Sequence, residues 1–316
     1  MSESWPIVFM GTPEAAAVSL EQLLKGPNPV VGVVTQPARP AGRGQKQVPS
    51  PVLRVAEKYR LPLLAPEKVR DPEFLETLRR WAPRLIAVVA YGRILPRSVL
   101  ELAPQGCINV HYSLLPKCRG AAPVAWTILR GEEKSGVTTM RLVEKMDAGP
   151  ILLQEELPVA PDETAASLAA KLIPIGARLL LETIRRLREG SATPKPQREE
   201  EATYAPMLKK EDGEINWTDP AAVIERRVRG FDPWPSAYTF LRERILKIHR
   251  ASVIPAEQQA APGEVVKADR GVLWVAAGQG ILSLEEVQFE NRKRLIAAEF
   301  LKGARIEKGE RLGINK

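Results

Sequence analysis

The chain has 316 residues, 44% apolar and 27% charged, with a net charge of +8. That length exceeds one comfortable core and predicts two domains of about 200 and 100 residues, and no apolar run approaches the roughly 20 residues of a membrane-crossing helix. Cys107 and Cys118, the two cysteines, lack metal-ligand spacing or a histidine cluster, so neither a metal site nor a disulfide framework is expected; nor does the start of the chain show a secretory signal pattern, which makes the cytoplasm the expected compartment.

In chain order, "PIVFMG" predicts a buried strand that ends at Gly11. Thr12 is placed to cap the helix that follows, Pro13 suits its first position, and Glu14 complements its dipole. This strand–turn–helix is Rossmann-like, but no GxGxxG is present, so no dinucleotide is implied. "PVVGVVTQ" predicts a second strand, "SPVLRVAEKYRL" and "FLETLRRWA" helices, and "PRLIAVVAYG" a buried β-branched strand. Alternating strands and helices predict a parallel sheet covered on both faces. The intervening "QPARPAGRGQKQVPS" has no acidic residue and predicts a long exposed loop. It is either a surface insertion or a basic finger for phosphate.

"INVHYSLLPKCRGAAP" contains one of only two histidines in the chain. Side chains two apart on a strand share a face, so Asn109 and His111 project together. Their strand runs out toward Pro116, and open α/β sheets bind ligands at the carboxyl ends of their strands. One reading is a buried, hydrogen-bonded pair that closes the sheet. The other is a site acting on a carbonyl, where the amide donates to an oxygen gaining charge and the imidazole donates or carries a proton. Asp147, in "EKMDAGPIL", is a candidate partner for the ring, although Asp-Ala-Gly is also an ordinary turn.

"GVTTMRLVEKMDAGPILLQEELPV" alternates like strands around a turn, and residues 163–189 read as a long helical region interrupted by Pro174. The polar "EGSATPKPQREEEATYAPMLKKEDGEINW" predicts a connection. A helix in "DPAAVIERRVRGF" leads to strands in "SAYTFL", "RILKIHRASV", "GEVVKA", "GVLWVAAG" and "GILSLEEVQ", a pattern that predicts a small OB-like β-barrel. The six tryptophans are scattered and read mostly as packing residues, and His249 as a strand residue with a local partner. The basic excess is spread over both parts of the chain, so any anion-binding face must come from local clusters.

"INVHYSLLPKCRGAAP" followed by "GVTTMRLVEKMDAGPIL" resembles the core of the formyltransferases that use 10-formyltetrahydrofolate. "VFMGTPEAA", "TQPARPAGRGQK", "AYGRILP", "TYAPMLKKEDGEINW" and "RGFDPWPSAYT" resemble, in order and spacing, the members of that family whose acceptor is initiator methionyl-tRNA. The resemblance implies an α/β architecture: a Rossmann-like parallel-sheet formyltransferase domain over residues 1–206, including a connection from about 190, then an OB-like β-barrel domain binding tRNA over 207–316. It implies Asn109, His111 and Asp147 as the catalytic trio, and Ser113, Leu114, Leu115 and Pro116 as a segment against the folate. Val89, Ala90, Tyr91, Gly92, Leu95 and Met140 would hold the pterin. Arg43 and Lys46 would meet the acceptor end of the tRNA, and Lys209 and Lys210 would track its backbone. No metal, no membrane and a monomer are expected. Cys118, Tyr112 and Ala38 depart from the family's usual aromatic, small and Asp residues. Two alternatives stand beside this reading: transfer to a small amine on a nucleotide or sugar, and a non-catalytic RNA-binding protein on the same scaffold.

Overall fold

The computed structural model describes residues 4–41, 46–256 and 259–313. Strands and helices alternate up to residue 111: β1 (Ile7–Gly11), α1 (Glu14–Leu24), β2 (Val30–Val34), β3 (Arg39–Ala41), β4 (Lys46–Val48), α2 (Pro51–Lys58), β5 (Leu63–Leu64), α3 (Pro72–Arg80), β6 (Leu85–Val89), α4 (Arg97–Leu100) and β7 (Cys107–His111). After α5 (Pro123–Leu129) come β8 (Lys134–Arg141), β9 (Ile151–Pro158) and α6 (Ala165–Arg188). Two compact units result, one of Met1–Pro123, Lys134–Pro158 and Ala169–Pro206, the other of Val124–Glu133, Val159–Leu168 and Met207–Lys316. Segments 124–133 and 159–168, which a division at residue 206 places in the first domain, thus group with the second unit.

The first unit is built on a seven-stranded sheet in the order β5-β2-β1-β6-β7-β8-β9. Its strands from β5 to β7 are parallel, while β8 and β9 extend it antiparallel. Central parallel strands are covered on both faces, which is why β1 and β6 are buried along their whole length. At the switch point between them, Gly11 lets α1 approach closely: a Cβ there would lie 2.5 Å from Ala16 Cβ and 2.8 Å from the Val89 carbonyl.

Register decides which residues share a face. Val88, Asn109 and Met140 stand side by side across β6, β7 and β8, as do Val89, Val110 and Thr139 on the opposite face. The first face continues into a core of Val8, Met10, Val88 and Cys107 beneath Phe74 and Leu78 of α3. The second packs on α6, where Thr139 and Thr183 share a 2.7 Å hydroxyl hydrogen bond. There Gly176 makes room for the Tyr112 ring, since a Cβ would sit 2.9 Å from Tyr112 Cε1.

Several local expectations change. Pro13, not Thr12, is the N-cap of α1 and makes no side-chain cap bond; the Thr12 hydroxyl instead donates to the Tyr91 carbonyl at 3.2 Å. The basic segment after β2 forms a short antiparallel hairpin of β3 and β4. Helix α6 runs through Pro174 without interruption. Pro174 and Ala170, four residues earlier, are both exposed, so water can satisfy the carbonyl that loses its helical donor.

The second unit contains α7 (Ala221–Gly230), β10 (Ala237–Leu241), β11 (Arg244–Ile254), β12 (Val265–Asp269), β13 (Val272–Ala276), β14 (Ile281–Phe289), β15 (Leu295–Ile296) and α8 (Ala297–Ala304). The strands form an antiparallel sheet in the order β10-β11-β14-β13-β12, with β15 on β14. Leu246, Ile248, Leu273, Val275, Leu282 and Leu284 supply its buried face at alternate positions. The C-terminal segment joins the two edge strands. Val265 N–H donates to the Glu310 carbonyl, Leu312 N–H to the Gly263 carbonyl (both 2.8 Å) and Gly313 N–H to the Phe240 carbonyl (2.9 Å).

Candidate functional site

β7 delivers Asn109 and His111 to the carboxyl end of the sheet on one face, as the two-residue spacing predicts. Asn109 is half-buried and His111 only 5% exposed. The Asn109 amide makes no hydrogen bond among the described residues, which leaves a donor available at a position already shielded from bulk water. His111 Nε2 lies 2.9 Å from the Cys118 carbonyl. A carbonyl only accepts, so Nε2 carries a proton. Nδ1 therefore faces Asp147, 3.7 Å from its Oδ2, within ion-pair reach and longer than a hydrogen bond. The same Oδ2 accepts the Gly120 N–H at 2.8 Å.

Cys118 and Asp147 both have left-handed backbones, with φ of 58° and 48°. Such values are uncommon outside glycine and persist where surrounding structure enforces them. Cys118 is enforced from both sides, by His111 on its carbonyl and by Thr203 Oγ1 accepting its N–H at 2.9 Å. The loop between His111 and Cys118 is pinned through Thr138. The Thr138 hydroxyl donates to the Ser113 carbonyl at 2.6 Å and accepts the Leu115 N–H at 3.2 Å, while Gln154 Nε2 donates to the Leu115 carbonyl at 2.8 Å.

The residues expected against a folate divide by exposure. Val89, Tyr91, Leu95, Met140, Ser113 and Leu115 have side chains buried in the protein's own core. Ser113 Oγ is committed to the Lys117 carbonyl at 2.6 Å. Ala90 and Gly92 are exposed, while Leu114 and Pro116 are half-buried. Ala90 and Gly92 have φ of 45° and 78°, so the turn after β6 presents main chain rather than side chains. Its geometry is fixed at the Tyr91 carbonyl, which accepts from Gln36 Nε2 at 2.7 Å as well as from Thr12.

Of the cationic candidates, Arg43 lies outside the described residues, and Lys46 is placed only as backbone in β4. Lys209 and Lys210 are exposed and make no ion pair among the described residues. Trp234 is not a packing residue: it is 55% exposed, against 8% for Trp5 and 5% for Trp217. His249 has the local partner expected of it, Gln288 Oε1 at 2.9 Å, and burial lowers its pKa. No group of three or more His, Cys, Asp or Glu among the described residues could hold a metal ion, and no described helix is long and apolar enough to cross a membrane.

Two features of the site were not legible in the sequence. The Cys118 carbonyl is a main-chain acceptor whose aim depends on tertiary structure. Gln197 donates to the carbonyls of Asp147 and Gly149, both at 2.7 Å, from a segment read as a polar connection.

Residues 6–184 match the family model described as formyl transferase, and residues 207–305 match its C-terminal domain. A protein named methionyl-tRNA formyltransferase from Desulfotalea psychrophila is 49% identical over 96% of this chain and 94% of its own length. One of the same name from Geobacter sulfurreducens is 47% identical over 97% and 96%. Among solved structures, HypX from Aquifex aeolicus in complex with tetrahydrofolic acid superposes with a TM-score of 0.61 at 18% identity. That match covers 99% of this chain, which spans about half of HypX, 51% of its length.

Proposed function

The chain belongs to the formyl transferase family, and from that membership we propose that it transfers the formyl group of 10-formyltetrahydrofolate to the α-amine of the methionyl group on initiator methionyl-tRNA. Near-full-length identity to proteins of that name supports this acceptor over a small amine on a nucleotide or sugar. The acceptor and its role in translation initiation support the cytoplasm as its compartment.

The observation that carries the chemistry is a spare amide donor and a buried imidazole at the end of β7, with the half-buried Asp147 carboxylate facing the ring from the connection between β8 and β9. 10-Formyltetrahydrofolate, when bound, supplies an electrophilic formyl carbon. The exposed main chain of Ala90 and Gly92 fits a flat heterocycle bearing amide-like donors and acceptors, with Leu114 and Pro116 as apolar contacts. Asn109 donates to the carbonyl oxygen as it gains negative charge. With Nε2–H held by the Cys118 carbonyl, Nδ1 is the nitrogen of His111 that takes a proton from the attacking amine. Asp147 then stabilises the imidazolium, its carboxylate kept in place by the Gly120 N–H, until the ring returns the proton to N10 of the departing tetrahydrofolate as the formyl C–N10 bond breaks. A gap of 3.7 Å closes to a charged hydrogen bond with a shift of under about 1 Å, and such contacts often tighten only with substrate bound.

The test is turnover of folded His111→Ala and Asn109→Ala proteins with initiator methionyl-tRNA. Losing the Asn109 donor in a desolvated site costs about 2.7–4 kcal/mol, roughly a hundredfold to a thousandfold in kcat, and losing the His111 base about a hundredfold to ten-thousandfold. Near-normal turnover in both would refute the assignment. Activity on a small amine with none on methionyl-tRNA would move the acceptor to the alternative class, and absence of any transfer would favour a non-catalytic RNA-binding protein.

A further inference from the structure

Gln197 lies in the stretch that the sequence presents as a connection, between a backbone bridge of Lys195 to Ile151 and a short 3-10 turn at Glu199–Glu201. Its side-chain amide uses all its hydrogen-bonding capacity within the first unit. Nε2 donates to the carbonyls of Asp147 and Gly149, both at 2.7 Å. Oε1 accepts from Arg119 Nε at 3.1 Å and Arg119 Nη2 at 2.9 Å.

Arg119 is itself only 1% exposed. Its third contact is Glu199, 2.9 Å from Nη1, and Glu199 in turn accepts from Lys145 at 2.5 Å. Those two hydrogen bonds, Lys145 first, hold the Glu199 carboxyl below its ordinary pKa. The main chain of Arg119 is fixed as well, its N–H on the Thr203 carbonyl at 2.8 Å and its carbonyl on the Ala205 N–H at 2.7 Å.

The contacts form a ring. Arg119 follows Cys118, which takes His111 Nε2, and precedes Gly120, which donates to the Asp147 carboxylate. Gln197 closes the ring from Arg119 to the Asp147 main chain. Asp147 sits at φ 48°, a left-handed conformation uncommon outside glycine though better tolerated by aspartate than by most residues. Gly149, two residues on, shows how tightly this turn is folded: a Cβ there would lie 1.8 Å from the Arg141 carbonyl.

We propose that Gln197 is a positioning residue: its amide holds the Asp147 turn and thereby sets the Asp147 carboxylate against His111 Nδ1. This rests on the reading of Asn109, His111 and Asp147 as the reacting groups. It makes the stretch before the second unit part of the active-site support.

The chain has two histidines, so in a His249→Gln background NMR reads the titration of His111 alone. Gln197→Ala and Gln197→Glu are compared in that background with Asp147→Asn. The Glu variant retains an acceptor for Arg119 and removes the donor to both carbonyls. Misplacing a reacting group by about 1 Å costs up to about a hundredfold, so kcat should fall about tenfold to a hundredfold in both Gln197 variants. KM for each substrate should change less than about twofold, the ratio separating positioning from binding. The His111 titration midpoint should move in the direction it takes in Asp147→Asn. Gln197→Glu should keep a thermal midpoint near that of the parent while sharing the loss of kcat. Recovery of kcat along with thermal stability in Gln197→Glu, or an unmoved His111 midpoint, would overturn the proposal. Full turnover in Asp147→Asn would instead sink the underlying reading of the site, whatever the Gln197 variants do.

Discussion

His111 has one nitrogen tied down and one working, and the tie is a main-chain carbonyl, that of Cys118. This locates the importance of residue 118 in its backbone rather than its thiol, which is buried and in no disulfide. Replacing Asp147 with Asn should leave folate binding in place and slow transfer, because an amide keeps the shape and loses the charge that stabilises the imidazolium. Equilibrium folate binding and single-turnover transfer measured on the same protein check this, and unimpaired transfer would contradict it. The pairing of Asn109 with His111 was legible because strand periodicity alone puts both on one face. The Cys118 carbonyl was not, since its aim depends on a left-handed backbone conformation. Gln197 was not legible either: its partners are 48, 50 and 78 residues away in sequence, and polar composition alone marked its segment as a connection. Trp234 is the exposed exception among tryptophans read mostly as packing residues, because residue type predicts burial only on average.

At the level of strands and helices, Gly11 is a test of close packing. Gly11→Ala should destabilise by about 1–3 kcal/mol through overpacking, because the new methyl meets Ala16 and the rigid Val89 carbonyl; urea unfolding measures it, and no loss would show that α1 can move away. β7 and the residue after it carry two buried acids. Burial pushes the Cys107 thiol from 9.0 up to about 12 and the Tyr112 phenol from 10.0 up to about 12. As pH rises past about 9 the unfolded chain releases these protons first, so the folded state binds more of them and stability declines. It is fully present below about pH 9 and falls on approach to pH 12. Urea unfolding at pH 8 and pH 10.5 should show the decline, and Cys107→Ala should make it shallower. Most elements were legible from apolar spacing; the exceptions lie where a contact outside the element decided the outcome. Thr12 looked like a cap and bonds Tyr91 instead, and Pro174 looked like a break but sits where solvent can replace the missing bond.

Across the whole molecule, the doubly covered sheet and the antiparallel second unit were both foreseeable from strand spacing and turn residues, whereas the assignment of 124–133 and 159–168 to the second unit was not, because compactness is a property of contacts. The exposed Lys209 and Lys210 lie in that unit. If they bind phosphates, each Lys→Ala change should weaken tRNA binding and make the log–log salt dependence shallower by about 1. Filter binding over a salt series reads both, and an unaltered slope would remove these lysines from the interface. The seam that joins β12 to β10 depends on backbone N–H and carbonyl groups, so a substitution in it is felt chiefly at Gly309, whose φ is 89°, at Glu310, paired with Arg242, at Leu312, buried at 3%, and at Gly313, where a Cβ would press on Trp217 at 2.8 Å. A frameshift or premature stop codon ahead of residue 309 is a different kind of lesion: it removes the donors and acceptors themselves, exposes two unpaired strand edges, and invites self-association of the truncated product.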